Sequence, residues 1–259
     1  MADFRKNSSF HNVNNGPTKA KKLETVNVSN SSLTVNMVKV FLYMFIGLAI
    51  TGGIATGLGY WVSSSYYANP NNDTIPTIYL GLLIGSAIAL LILMLIINFV
   101  ILRGKHSILI PGILYTVVMG VLLSSLTIFA GKDEWSMIGM AFGITAGIFL
   151  FMTLIALVTK GNMSSMATLG IGLIVGSIIL GLVNLLLRSS VLYWIVSFAI
   201  FAALMFITMY DIWRIKKISE QGQMSNNVAL YCAFVIYVDF INIFLRILYF
   251  LILIFGKKN

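Results

Sequence analysis

Apolar positions in this chain do not alternate with polar ones; they run. Seven stretches, roughly 40–62, 78–102, 108–130, 135–158, 166–187, 191–210 and 228–255, are almost continuously apolar. Each reaches the ~20 residues that a helix needs to cross a ~30 Å hydrocarbon core. Lipid cannot satisfy the backbone groups of an open strand, so runs this long and unbroken read as helices. The pattern predicts an all-α, polytopic membrane protein with seven transmembrane helices. Residues 1–36 are different in kind, rich in Asn, Ser and Lys, with Pro17 and no periodicity. Too little apolar surface is present there to offset the entropy of ordering. The expected division is a flexible polar cytoplasmic tail over 1–36 and a seven-helix transmembrane domain over 37–259.

Punctuation agrees with the runs. Pro17, Pro70 and Pro76 lie outside them, and Pro111 falls in the first turn of the third, where a missing N–H costs least. Trp61, Trp135, Trp194 and Trp213 fall at or just beyond run ends, as an interfacial aromatic belt requires. Glycines recur every fourth residue at Gly139, Gly143 and Gly147, and as the pairs Gly53/Gly57 and Gly172/Gly176. Such stripes are expected to let helix backbones approach closely.

Charge sets the orientation. With the N-terminus inside, eleven of the 17 Lys and Arg residues fall in inner segments and four in outer ones. The positive-inside rule then places the C-terminus outside, in the cell membrane. The alternative, with 228–255 as a re-entrant pair and both termini inside, draws on Lys257 and Lys258.

Composition narrows the class. The chain is 59% hydrophobic and 10% charged, against about 45–50% and about 25% in soluble domains. This excludes a soluble enzyme, a disordered protein and a disulfide scaffold. The net charge of +9 is explained by topology, so the bilayer and not nucleic acid is the expected partner. No short apolar core lies near the N-terminus, so no signal peptide is expected. Cys232 is the sole cysteine and reads as a small buried filler.

Of eight acidic residues, only Asp211 and Asp239 belong to apolar runs. An ionised Asp at a helix centre costs about 2.5–3.5 kcal/mol on insertion scales, so both are functional candidates. Asp239, Asn242 and Arg246 are spaced i, i+3 and i+7 on one face of run seven. That polar stripe places the last helix inside the bundle. If Asp211 meets Asp239 there, the two carboxyls resist joint ionisation and share a proton. They also offer oxygens to a transient Ca²⁺. The simpler alternative for Asp239 is an ion pair with an arginine of a neighbouring helix. Depth is a difficulty. Asp211 lies ~30 Å along run six and Asp239 ~16 Å into run seven, so they meet only if run six is shifted and Lys216 and Lys217 snorkel to the headgroups. Arg103 ends run two, either as a positive anchor or as a mobile counter-ion for Asp211. His11 and His106 sit in no ligand-spaced cluster, and no tightly bound cofactor is expected.

Three stretches carry a resemblance: Phe142-Gly-Ile-Thr-Ala-Gly-Ile-Phe149 with Thr159-Lys160 and Ser164; Tyr210-Asp211-Ile-Trp-Arg-Ile215; and Ala229-Leu-Tyr231 through Tyr237-Val-Asp239-Phe-Ile-Asn242-Ile-Phe244-Leu245. Over about 38–255 the chain resembles the Bax inhibitor-1 membrane proteins, and its Lys- and Asn-rich composition suggests an AT-rich bacterial source. The resemblance implies seven helices wrapped around the last one. It also implies a pH-sensitive calcium leak, with Asp211 and Asp239 as sensor and gate. Arg103 corresponds to an arginine ending helix two that pairs with the first aspartate. Asn242 and Arg246 are kept as gate support. One departure is that residues 78–102 hold no acid where some members carry one in the pore; Asn98 or backbone carbonyls are the candidate substitutes.

Two other functions compete. A regulator of other membrane proteins, or of membrane proteolysis, needs no ion conduction, and the polar tail suits it. An intramembrane aspartyl protease would use two late-helix aspartates. Its second signature needs Gly-x-Gly-Asp, where this chain has Ile236-Tyr-Val-Asp239, so an enzyme is not expected.

Overall fold

The computed structural model describes residues 30–68, 74–103, 107–129 and 135–255. Among them there are seven helices and no strand: α1 (Asn30–Ala68), α2 (Thr74–Arg103), α3 (Leu109–Phe129), α4 (Trp135–Val158), α5 (Ser164–Leu187), α6 (Ser190–Glu220) and α7 (Asn226–Phe255). Each is long and apolar enough to cross a membrane. The all-helical, seven-span expectation therefore holds.

The ends differ where polar residues continue a helix past its apolar run. α1 is already helical at Asn30, inside the expected tail; residues 1–29 lie outside the described residues. Pro76, expected outside run two, sits in the first turn of α2, where no N–H is required of it. The largest shift is in α6, which continues ten residues past the expected end at 210. The continuation carries Asp211, Arg214, Lys216 and Lys217, which break the apolar run. Yet Ile212 and Ile215, three apart on one face, are 0% and 4% exposed. Amphipathic packing, not continuous hydrophobicity, holds that part of the helix. α7 is one unbroken helix of 30 residues, so the re-entrant alternative for 228–255 is overturned.

α7 is the most enclosed helix. Asp239, Phe240 and Ile241 are consecutive and all buried. Successive helical residues turn ~100°, so a lipid-facing helix would expose one of them. α7 packs on α1, α4 and α6, and touches α3. Aromatic contacts fasten it: Phe240 meets Phe142 and Phe149 at 5.4 and 5.6 Å between ring centroids, and Phe234 meets Tyr115 edge-on at 4.9 Å. A buried polar lock adds direction. The Thr51 hydroxyl lies 2.6 Å from the Tyr237 hydroxyl and donates to the Thr116 carbonyl at 2.9 Å, joining α1, α7 and α3. α2 packs chiefly on α3, and α5 on α6.

The glycine stripes do not make the close approaches. A Cβ at Gly53, Gly57, Gly139, Gly143, Gly147, Gly172 or Gly176 would meet nothing within 4 Å; the spacing exists, but no neighbouring helix packs tightly against these positions. Three isolated glycines do that work instead. A Cβ at Gly120 would lie 2.8 Å from both Ile54 Cβ and the Thr51 carbonyl, one at Gly170 2.6 Å from Ile207 Cγ1, and one at Gly47 3.2 Å from Thr116 and Tyr237. Gly120→Ala should therefore destabilise the purified protein by about 1–3 kcal/mol, because the Thr51 backbone cannot yield. Gly143→Ala should be neutral or stabilising, by up to ~1 kcal/mol of helix propensity. Thermal unfolding in detergent distinguishes them; equal midpoints would refute the assignment.

Candidate functional site

The site lies in the seam between α6 and α7. The helices are antiparallel and in a register that repeats: Arg214 lies near Tyr231 and Cys232, Thr208 and Asp211 near Asp239, Leu204 near Asn242, and Ile200 near Arg246. Thr208, Asp211 and Arg214 are three apart on α6, so one face of that helix presents all three to the seam.

Asp239 is 9% exposed. Its carboxyl faces the Thr208 hydroxyl and the Asp211 carboxyl across the seam. The set is short of donors: Asp239 Oδ2 and Thr208 Oγ1 are fully buried and complete no hydrogen bond of good geometry. Asp211 is half-buried and feels the positive charge of Arg214, which is exposed one turn further along α6. Among the described residues neither aspartate has a basic group within the 4.0 Å of an ion pair; the pairs formed are Lys216 and Lys217 with Glu220, at 3.9 and 2.8 Å. The ion-pair alternative for Asp239 thus finds no arginine there.

The longer α6 removes the depth difficulty. Asp211 lies nine residues before the end of α6 and Asp239 thirteen after the start of α7, about 14 and about 20 Å from the connecting turn. Lys216 has another task than snorkelling. It is 7% exposed, and its ammonium donates to the carbonyls of Leu157 and Thr159 at 2.5 and 3.0 Å. Those carbonyls end α4, where unpaired acceptors and the helix dipole both favour a cation.

The other expected residues part company. Arg103 is the last residue of α2, and its side chain lies outside the described residues. Asn242 is exposed rather than gathered beside Asp239, and Arg246 is half-buried a further turn away. Asn98 is exposed on α2 and spends its amide on the Met94 carbonyl of its own helix, so it cannot replace an acid inside the bundle. Among the described residues no group of three or more His, Cys, Asp or Glu could hold a metal. Two carboxyls fall well short of the six to eight oxygens of a resident Ca²⁺ site.

The family described as "Inhibitor of apoptosis-promoting Bax1" matches residues 34–257. The chain belongs to the Bax inhibitor-1 family. Among bacterial relatives, Inner membrane protein YbhL of Escherichia coli K12 is 28% identical over 88% of this chain and 94% of its own. An uncharacterized membrane protein of Streptococcus pyogenes serotype M1 is 24% identical over 89% and 97%. An uncharacterized protein of Borreliella burgdorferi is 35% identical, over 54% of this chain and 60% of its own. No solved structure matches the chain. A Bax inhibitor-1 chain with seven apolar helices and an inner-membrane relative is a multi-pass cell-membrane protein.

Three seam residues escaped the sequence reading of this family member. Thr208 and Arg214 carry a signal, their i−3 and i+3 spacing from Asp211, but the threonine is lost in an apolar run and the arginine stands among other basic residues. Cys232, read as filler, is 3% exposed and close to Asp211 and Arg214. The Lys216 cap gives a direct test. Lys216→Met should cost about 1–3 kcal/mol in detergent unfolding, since buried α4 carbonyls lose their donor. Lys217→Met, which removes only a partly exposed ion pair, should stay within about 1 kcal/mol. Equal losses would show that Lys216 acts merely as surface charge.

Proposed function

We propose that this chain is a passive leak for calcium or a similar small cation, gated by protonation of Asp211 and Asp239. The observation that carries the reading is the buried Asp239 carboxyl, its Oδ2 without a donor, facing Asp211 and Thr208 across a helix seam. With one proton between them the two carboxyls tolerate a closed seam. With none, like charges in low dielectric repel, and α6 and α7 are pushed towards a different arrangement. Two arrangements biased by one proton are what a pH switch requires. Ca²⁺ is the cargo in this reading, held transiently by the same oxygens, and no tightly bound cofactor or catalysed reaction is proposed. The N-terminus is placed inside and the C-terminus outside, as the Lys and Arg distribution suggests.

Family membership supports the reading, and the missing acid in α2 leaves selectivity to the aspartates and to backbone carbonyls. The test is Ca²⁺ flux into proteoliposomes over a pH series, for wild type, Asp211→Asn and Asp239→Asn. A single coupled proton changes the open fraction by at most about tenfold per pH unit. The wild type should show such a profile, and Asp239→Asn should flatten it while leaving the fold intact. Flux that is absent, or that keeps its pH profile in both variants, would overturn the leak. In that event, capture of the same membrane partner by full-length protein but not by a chain lacking residues 1–29, which leaves α1 whole, would favour the regulator.

A further inference from the structure

Beyond Asp239 the α6–α7 seam opens into a cavity of about 340 Å³, lined by Ile200, Leu204, Asn242, Leu245, Arg246 and Tyr249. Three of its members carry polar groups, Asn242, Arg246 and the Tyr249 phenol, and the one charge among them is positive. Arg246 brings five N–H donors and a charge that cannot be removed at any ordinary pH, and Asn242 brings an amide. Arg246 is half-buried, with its guanidinium 6.0 Å from the centre of the Tyr249 ring, and the ionisable group that acts on it is the Tyr193 phenol. Among the described residues no carboxylate lies within ion-pair distance of it. Asp239 is seven residues back on the same helix, about 10.5 Å along the axis, and faces Thr208 and Asp211. A permanent cation in a membrane-spanning helix, with no carboxylate of the described residues beside it, calls for an anion from elsewhere.

Depth and wall chemistry identify the source. α7 has 30 residues, about 45 Å, against a hydrocarbon core of ~30 Å. A helix centred in the bilayer therefore overhangs it by about 7 Å at each end. Arg246 is nine residues from Phe255, about 13.5 Å, so its Cα lies roughly 6 Å below the boundary. That is within the reach of an arginine side chain that snorkels. The remaining walls are Ile200, Leu204, Leu245 and the Tyr249 ring, and the aliphatic side suits an acyl chain better than a hydrated ion. Beside the cavity, Trp194 stacks on Phe250 at 6.1 Å and on Phe198 at 5.8 Å, as an interfacial belt does.

We infer that the Arg246–Asn242 cavity is a binding site for the phosphate of an anionic phospholipid, entering from the leaflet at the Phe255 end of α7. Arg246 pairs with the phosphate, Asn242 donates beside it, and one acyl chain lies along the apolar wall. The site stands independently of ion conduction.

Trp194 reports on it through its ring contact with Phe250, the chain neighbour of the cavity residue Tyr249. A full-length chain carrying Trp61→Phe, Trp135→Phe and Trp213→Phe keeps that fluorophore alone. It is reconstituted in vesicles in which dibrominated phosphatidylglycerol or dibrominated phosphatidylcholine replaces part of the unbrominated lipid. Quenching should reveal a preference of about fivefold for the anionic lipid, the scale set by one basic side chain near a membrane surface. Arg246→Gln should bring the two lipids to parity, and Arg246→Lys should retain most of the preference. Millimolar inorganic phosphate should leave it unchanged. Equal quenching in the parent chain overturns the proposal, and so does a preference that survives Arg246→Gln. Displacement by free phosphate overturns the lipid as the source. If Arg246→Gln does not fold, the parent chain and Arg246→Lys still decide: absence of a preference in either sinks the site.

Discussion

A carboxyl group on the most enclosed helix of a membrane bundle is the constraint to which the rest of this structure answers. Asp239 costs about 2.5–3.5 kcal/mol to hold at such a depth when ionised. It sits between Phe240, which meets two rings of α4, and Tyr237, which is locked to α1 and α3 through Thr51. These contacts fix the rotation of α7, so the carboxyl cannot swing towards lipid or water. It is left facing α6, the neighbour that offers a hydroxyl and a second carboxyl. The polar lock and the aromatic contacts are therefore best understood as what holds an unfavourable group in place.

Most of this architecture is legible in the chain, because a membrane helix is written as a long apolar run and little else produces one. α4 and α5 begin and end within two residues of their runs. α6 is where that logic fails: hydropathy stops at Tyr210, but the helix continues on the buried pair Ile212 and Ile215. The same failure produced the apparent mismatch in depth between Asp211 and Asp239. Glycine spacing misled for a related reason. A period of four shows that an edge is smooth, and says nothing of whether another helix lies against it; Gly120 and Gly170, each outside such a stripe, make the tight crossings.

The seam is less legible than the helices. Asp211 and Asp239 stand out because acids are rare in apolar runs. Thr208 does not stand out, and Arg214 is camouflaged beside Lys216 and Lys217. Which residues share the seam follows from the antiparallel register of two helices, and that register is set by the turn near Gly222 and by tertiary packing. Charge counts cannot supply it. Asn242 and Arg246 show the limit: they do share a face with Asp239, yet the bundle buries the first part of that stripe and opens the second.

The position of α5 bears on how the seam can move. It packs almost entirely against α6, with Gly170 pressed onto Ile207 and Ala203, and only Arg188 and Ser189 separate the two helices. Asn184 receives the Ser189 N–H, and Ser189 in turn caps α6, so the connection has little slack. Any displacement of α6 must carry α5 with it. α5 turns a broad face of Leu, Ile and Val to the surrounding lipid, and a shift of this hairpin is work done against neighbouring acyl chains. In the proposed gate, the stiffness and thickness of the bilayer would therefore enter the energy difference between the two arrangements of the seam.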